Sequence, residues 1–317
     1  MEFHRPAARC CGDAAARLRT GKEKGRLEQD SSVGRMIMGG AGSGHLRWGA
    51  VEITSVLEEI RARLDLSPVA AATLGRTMAG AALLLRLSNK TPTRLLIRVA
   101  GNGPLGEVIA EADAEGNLRG QVENPRLALA PTGEGKLDVG GAVGKGSLIV
   151  ERLSNAGHQR SVVELVSGEI GDDLAHFLTQ SEQTRSVVMV GVLAKPFGVA
   201  AAGGFIGEAL PEAPESMVDR FARNVARLTG VSRLIEERGI DEVVGRALAG
   251  LDHCAAVETQ LRFRCRCSRE RLAAQLGTLS DADLERLANG EPVIEATCRS
   301  CGTVYRVSRQ ELELSIH

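Results

Sequence analysis

Arg262-Phe263-Arg264-Cys265-Arg266-Cys267-Ser268-Arg269 and, further on, Thr297-Cys298-Arg299-Ser300-Cys301-Gly302-Thr303-Val304-Tyr305 are the stretches on which the reading of this chain turns. A CxC and a CxxC present four thiolates on two short knuckles, with a helical pattern over Asp281 to Ala288 between them. Four sulfurs close a tetrahedral structural zinc site, so Cys265, Cys267, Cys298 and Cys301 are the expected metal ligands, for one Zn2+. A thioredoxin-like reading of Cys298 to Cys301 fits less well, because it needs the first thiol at a helix N-terminus after a strand. Here Gly302 follows the pair and Val304 to Val307 reads as a strand.

Energetics give the metal a role. The tail from Leu261 onward has few large apolar side chains, and a segment of its size barely folds alone. Structural zinc supplies roughly 10–16 kcal/mol of apparent binding energy, against about 5–15 kcal/mol for a whole domain. Losing the metal should therefore unfold the module. Arg262, Arg264, Arg266 and Arg269 surround the CxC and Arg299 lies inside the CxxC. Cations there are expected to favour thiolate and reactivity toward oxidants. An oxidation-triggered, metal-gated unfolding switch follows as an expectation.

Upstream of this module, Glu215 to Gly250 places Met217, Phe221, Val225, Leu228, Val231 and Ile235 at three- and four-residue steps among charged residues. The pattern is an amphipathic helix, broken near Gly230 and Gly239, with a successor from Asp241 to Leu251. Short helices are marginal in water, so this linker needs an apolar surface, and the preceding domain is the obvious one. Pro211 and Pro214 mark its start.

Further upstream, apolar spacing predicts helices over Val51 to Leu64 and from Ser67-Pro68 to about Leu87. Strands are expected at Arg94 to Ala100, Glu107 to Ala112, Leu118 to Glu123, Lys136 to Val143, Ser147 to Leu153, Val187 to Leu193 and Gly198 to Ile206, with a helix at Gly171 to Gln183. The expected architecture is α+β: a mixed core domain at 43–212, a helical linker at 213–258 and a zinc-binding redox module at 259–317. Residues 1–42 read as a disordered extension, or as sequence upstream of a start at Met36 or Met38.

Composition removes several classes. The 317 residues hold 39 Lys plus Arg against 40 Asp plus Glu, so nothing draws the chain generally toward polyanions. Aromatics are 3%, with one Trp and one Tyr, too few for a base-stacking surface. The apolar run Val69 to Leu85 is interrupted by Thr73, Gly75, Arg76, Thr77 and Gly80 and reads as a buried helix rather than a membrane span. No secretory leader is recognisable and five of the seven cysteines fall from Cys254 onward, which suggests a reducing cytoplasm.

Gly140 to Ser147 lacks a phosphate-loop register and reads as a hairpin turn. Ser167, Asp172 and His176 lack a nucleophile elbow, so no enzyme is expected. Cys254 reads as a helix-borne bystander. The rival of a different class is a zinc-ribbon nucleic-acid binder. Residues 262–317 hold nine Lys or Arg against eight Asp or Glu, which argues against it.

With those cysteine pairs go Gly120-Gln-Val-Glu-Asn-Pro125, Gly144-Lys-Gly146, Leu165-Val-Ser-Gly-Glu-Ile170, Ser181-Glu-Gln-Thr184 and Ala201-Ala-Gly-Gly-Phe205. In this order, over roughly Leu46 to Leu312, the chain resembles the thirty-three-kilodalton heat-shock family of redox-regulated bacterial chaperones. The resemblance implies an ATP-independent holdase for unfolding proteins, inactive when reduced and zinc-bound. It implies that peroxide or hypochlorite forms disulfides Cys265–Cys267 and Cys298–Cys301, releases zinc and unfolds the linker. The active form is implied to be a homodimer and the reduced form a monomer, with neither nucleic acid nor membrane as partner. The N-terminal extension, with Cys10 and Cys11, has no counterpart in the family's usual architecture.

Overall fold

Leu74, Met78, Leu83 and Leu84 belong to the most apolar helix in the chain, and that helix organises the body. The computed structural model describes residues 33–87, 92–133 and 135–308. Within it the chain divides into two compact units, one ending at Phe263 and one beginning at Arg264.

In the first unit, β1 (Gly34–Ala41) and β2 (Leu46–Glu52) form a hairpin, followed by α1 (Thr54–Leu64) and α2 (Pro68–Leu87). Every residue of α2 except Pro68, Arg76 and Arg86 is buried, as a helix apolar on all sides requires. It is long and apolar enough to cross a membrane by composition, and here it lies inside the body. It packs against β3 (Arg94–Gly101), β4 (Val108–Asp113) and β5 (Asn117–Val122), and against β2 as well. Next come α3 (Val139–Val143), β6 (Gly146–Ser154), β7 (Gly157–Glu164), α4 (Gly171–Ser181), β8 (Arg185–Lys195) and β9 (Gly198–Ala209). Three helices follow, α5 (Glu215–Ala226), α6 (Val231–Arg238) and α7 (Ile240–Ala247), and then β10 (His253–Phe263).

The strands lie in the order β7-β6-β3-β4-β5-β10-β1-β2-β9-β8. The two halves meet at β10, which is antiparallel to β1 along its length and parallel to β5 only at Arg262↔Asn117 and Phe263↔Leu118. One apolar cluster surrounds α2. A second lies on the other side of β1, β2, β9 and β8, where Trp48, Ala50 and Phe205 meet Phe221, Val225, Ile235 and Val243 of α5 to α7. Glycines in the strands make room for these helices. A Cβ at position 207 would overlap the Phe221 ring, and one at 203 would come 2.8 Å from Ile235 Cδ1.

Several expectations are corrected. Residues 34–41 are not extension but a strand paired on both sides. Residues 1–32, with Cys10 and Cys11, lie outside the described residues. Residues 253–258 are strand rather than helical linker, and β10 keeps 259–263 in the sheet, so the cysteine unit starts at Arg264 and not at 259. Lys136 to Val143 is not a strand. Asp138 accepts a hydrogen bond from Gly141 N at 2.8 Å and starts α3, which Gly144 ends at φ 71°. The stretch read as a hairpin turn is thus a helix end. Cys254 sits in β10, buried opposite Gly40.

Candidate metal centre

The second unit has little to hold it. Ser268 opens α8 (Arg269–Leu276) by accepting from Arg271 N at 3.2 Å, and Ser280 opens α9 (Asp281–Ala288) by accepting from Asp283 N at 3.2 Å. Then β11 (Val293–Thr297) and β12 (Val304–Ser308) pair as a hairpin, Thr297 opposite Val304. Its buried apolar cluster is Ala273, Leu276, Leu284, Ala288, Ile294 and Val307. Four of those side chains are large, a small core for fewer than sixty residues.

The loop between β11 and β12 carries Cys298 and Cys301. It is a tight knuckle: Cys298 N donates to Thr303 O at 2.9 Å and Gly302 N to Cys298 O at 2.8 Å, with Gly302 at φ 71°. Glycine suits that left-handed position because a side chain would be strained there. Cys265 and Cys267 come from the extended segment before α8. The structure brings all four predicted cysteines together, with their sulfurs within 4.8 Å of one another. Cys265 Sγ is 3.7 Å from Cys298 Sγ, and Cys267 Sγ is 3.3 Å from Cys301 Sγ. Zn–S bonds near 2.3 Å in a tetrahedron put sulfurs about 3.8 Å apart. The spacing and the all-sulfur donor set therefore fit a zinc-sized tetrahedral ion, and this four-cysteine group can hold a metal. Cys254 is not part of it.

Two hydroxyls that sequence reading did not single out touch the sulfurs. Tyr305 Oη donates to Cys267 Sγ at 3.0 Å, and Cys301 Sγ lies 3.2 Å from Thr303 Oγ1. Burial pushes the Cys265 thiol up to about 12, and it pushes Cys298 up as well. Burial also pushes against ionisation at Cys301, but the side chain and amide of Thr303 and the neighbouring thiols bring it down to about 7. The bond to Cys267 holds the Tyr305 hydroxyl above its ordinary range. At Cys265 and Cys298 burial is the largest influence, and it opposes ionisation.

The decoy triad is not assembled as catalytic machinery. Ser167 Oγ donates to Asp172 Oδ2 at 3.1 Å, while Asp173 is buried and accepts from the amides of Val166 and Ile170 at 2.7 and 3.0 Å. These contacts fix the turn into α4.

An α+β body followed by a knuckle unit whose four cysteines could hold a metal ion defines the class of protein. Residues 35–308 match the family described as Hsp33 protein. The 33 kDa chaperonin of a Thermus thermophilus strain is 44% identical over 292 residues, covering 88% of this chain and 86% of that one. That of Nostoc sp. PCC 7120 is 41% identical over 283 residues, covering 88% and 94%. The crystal structure of the 33 kDa chaperonin from Thermotoga maritima superposes with a TM-score of 0.81 at 33% identity, over 89% of this chain and 97% of that one. The chain belongs to the Hsp33 family. It is a chaperone that holds unfolded protein chains, and not an enzyme.

Proposed function

We propose that this chaperone is gated by its four cysteines: reduced and holding one zinc ion per chain it is inactive, and oxidised it captures unfolding clients without ATP. The observation that carries the reading is the meeting of four sulfurs within 4.8 Å in a unit with a six-residue apolar cluster. Bound zinc would tie Cys265, Cys267, Cys298 and Cys301 together and supply roughly the 10–16 kcal/mol that such a core lacks. Conversion to disulfides Cys265–Cys267 and Cys298–Cys301 removes all four thiolates at once, and the unit loses its fold. The chain runs from α5–α7 through β10 straight into the first knuckle. Helices of 8–12 residues stay folded only while docked. Their departure would bare Trp48, Phe205 and the facing apolar side chains, a surface for non-native chains. In this reading the oxidised form is a homodimer and the reduced form a monomer. It works in the cytoplasm, and it needs neither nucleic acid nor membrane.

Light scattering from a thermally unfolding client, without ATP, tests the gate. Peroxide-treated protein should suppress the signal, and zinc-loaded reduced protein should not. Equal suppression by both forms would leave zinc a purely structural role.

A further inference from the structure

An apolar edge strand invites pairing with any extended chain unless charges or other elements guard it. The ten-stranded sheet ends in two edges, β7 and β8. β7 carries exposed His158, Arg160 and Glu164, charges that discourage further pairing. β8 reads Ser-Val-Val-Met-Val-Gly-Val-Leu-Ala from Ser186 to Ala194, with charge only at its ends, Arg185 and Lys195. Ile53 N donates to Ala202 O at 2.8 Å, so the even-numbered residues of β9 bond β2 and the odd-numbered ones bond β8. The amides and carbonyls of Ser186, Val188, Val190 and Val192 therefore point away from β9. Among the described residues no strand takes them up.

The linker helices lie along this strand. Val187, Met189 and Leu193 pack into the cluster shared with α5 to α7, and a Cβ at Gly191 would come 2.8 Å from Val231 Cγ1 of α6. Arg185 Nη2 lies 2.8 Å from Glu215 Oε2 of α5, and Lys195 Nζ lies 3.0 Å from Glu236 Oε1 of α6. Each end of β8 is thus tied to a different helix. A groove lined by Thr184, Ser186, Val187, Val218 and Phe221 already separates the start of β8 from α5. Just past the other end, Phe197 is 95% exposed.

We propose that β8 is the client-binding edge: an extended segment of an unfolding protein adds to it as a further strand, its main chain bonded to Ser186, Val188, Val190 and Val192. The site rests on the proposed gate, because α5 to α7 must leave before the added strand finds its apolar side. Every second side chain of the segment then lies beside Val187, Met189 and Leu193, on the face the helices vacate. Departure of Glu215 and Glu236 leaves Arg185 and Lys195 as cations at the two ends. The fitting segment is therefore apolar at alternate positions and acidic at its flanks. Main-chain bonding gives affinity without demanding one sequence, as a holdase with many clients requires.

The test uses full-length protein and a fluorescein-labelled peptide of alternating valine and threonine flanked by glutamates. Suppression of client aggregation by the same oxidised preparation is measured first. The peptide should bind the oxidised form and bind the reduced, zinc-loaded form at least about tenfold more weakly. N-methylation along the peptide removes main-chain donors but keeps the side chains, and should weaken binding about tenfold or more. Val190→Pro removes one outward amide and leaves the ladder to β9 intact, so it should weaken binding by a similar factor with an unchanged circular dichroism spectrum. A benzophenone-bearing copy of the peptide locates the site without any substitution, and its cross-links should map to residues 185–195. If the oxidised protein suppresses aggregation yet binds parent and N-methylated peptides equally, or cross-links fall mainly outside 185–195, the β8 assignment is overturned and the gate stands. Neither suppression nor peptide binding after oxidation overturns the gate and the edge together. Peptide binding lost as the oxidised protein is concentrated into dimers gives the edge to a second copy and overturns the client assignment.

Discussion

Cys298 holds its place through the knuckle's backbone, so exchanging its sulfur for oxygen perturbs the donor set more than the loop. In Cys298→Ser the zinc content of purified reduced protein should fall well below one per chain. The loss in affinity should exceed the 10–100-fold usual for an outer partner of a metal site. Metal analysis after dialysis checks it. The meeting of the four cysteines was legible because CxC and CxxC spacing is itself the chemistry. Tyr305 and Thr303 were not, because only the hairpin register turns their hydroxyls toward sulfur. A second residue-scale prediction concerns Glu208, 3% exposed and 2.6 Å from Arg47. Burial raises its carboxyl above the ordinary range, with Arg47 acting in the opposite sense. The folded state therefore binds the proton more tightly than the unfolded one. The stability this group contributes is present below the ordinary carboxylate value and lost as pH rises through the raised one. Urea midpoints should show the native chain gaining on Glu208→Gln as pH falls toward the ordinary carboxylate value.

At the scale of elements, the docking of α5 depends on one aromatic seated over a glycine. Phe221 is 3% exposed and its ring lies where a side chain at Gly207 would be. Phe221→Ala should cost about 3–5 kcal/mol of local stability, enough to loosen a 12-residue helix. The variant should bind an apolar dye and suppress client aggregation partly without oxidant; dye fluorescence on reduced protein measures it. The linker helices were readable because Phe221, Val225 and Ile235 repeat at helical steps. Strand β1, Gly-Arg-Met-Ile-Met-Gly-Gly-Ala, was not. Its glycines lower strand propensity, and its reason to exist is long-range pairing with Ala50 on one side and Glu258 on the other. β10 joins the sheet through long-range pairing with β1, and α3 forms because Asp138 caps a run whose valines favour strand.

For the whole molecule, two compact units, the body with two apolar clusters and the cysteine unit with one small one, imply two unfolding events. A large cluster surrounds α2, and six buried residues serve the cysteine unit. Chelating zinc under reducing conditions should therefore melt residues 264–308 and loosen 215–247 while 68–87 keeps its fold; loss of 68–87 together with 264–308 on a thermal scan would contradict this. The mixed α+β class could be read from apolar spacing, and the cysteine cluster from its two paired motifs. The boundaries could not, since β1 and β10 are recruited to the sheet from stretches assigned to other domains. The most direct test of the gate is hydrogen exchange by mass spectrometry on reduced zinc-loaded and peroxide-oxidised protein. The account predicts that oxidation strips protection from 264–308 and from 215–247 while 68–87 stays protected. Unchanged protection in 215–247, in a protein that has lost its zinc, would contradict it.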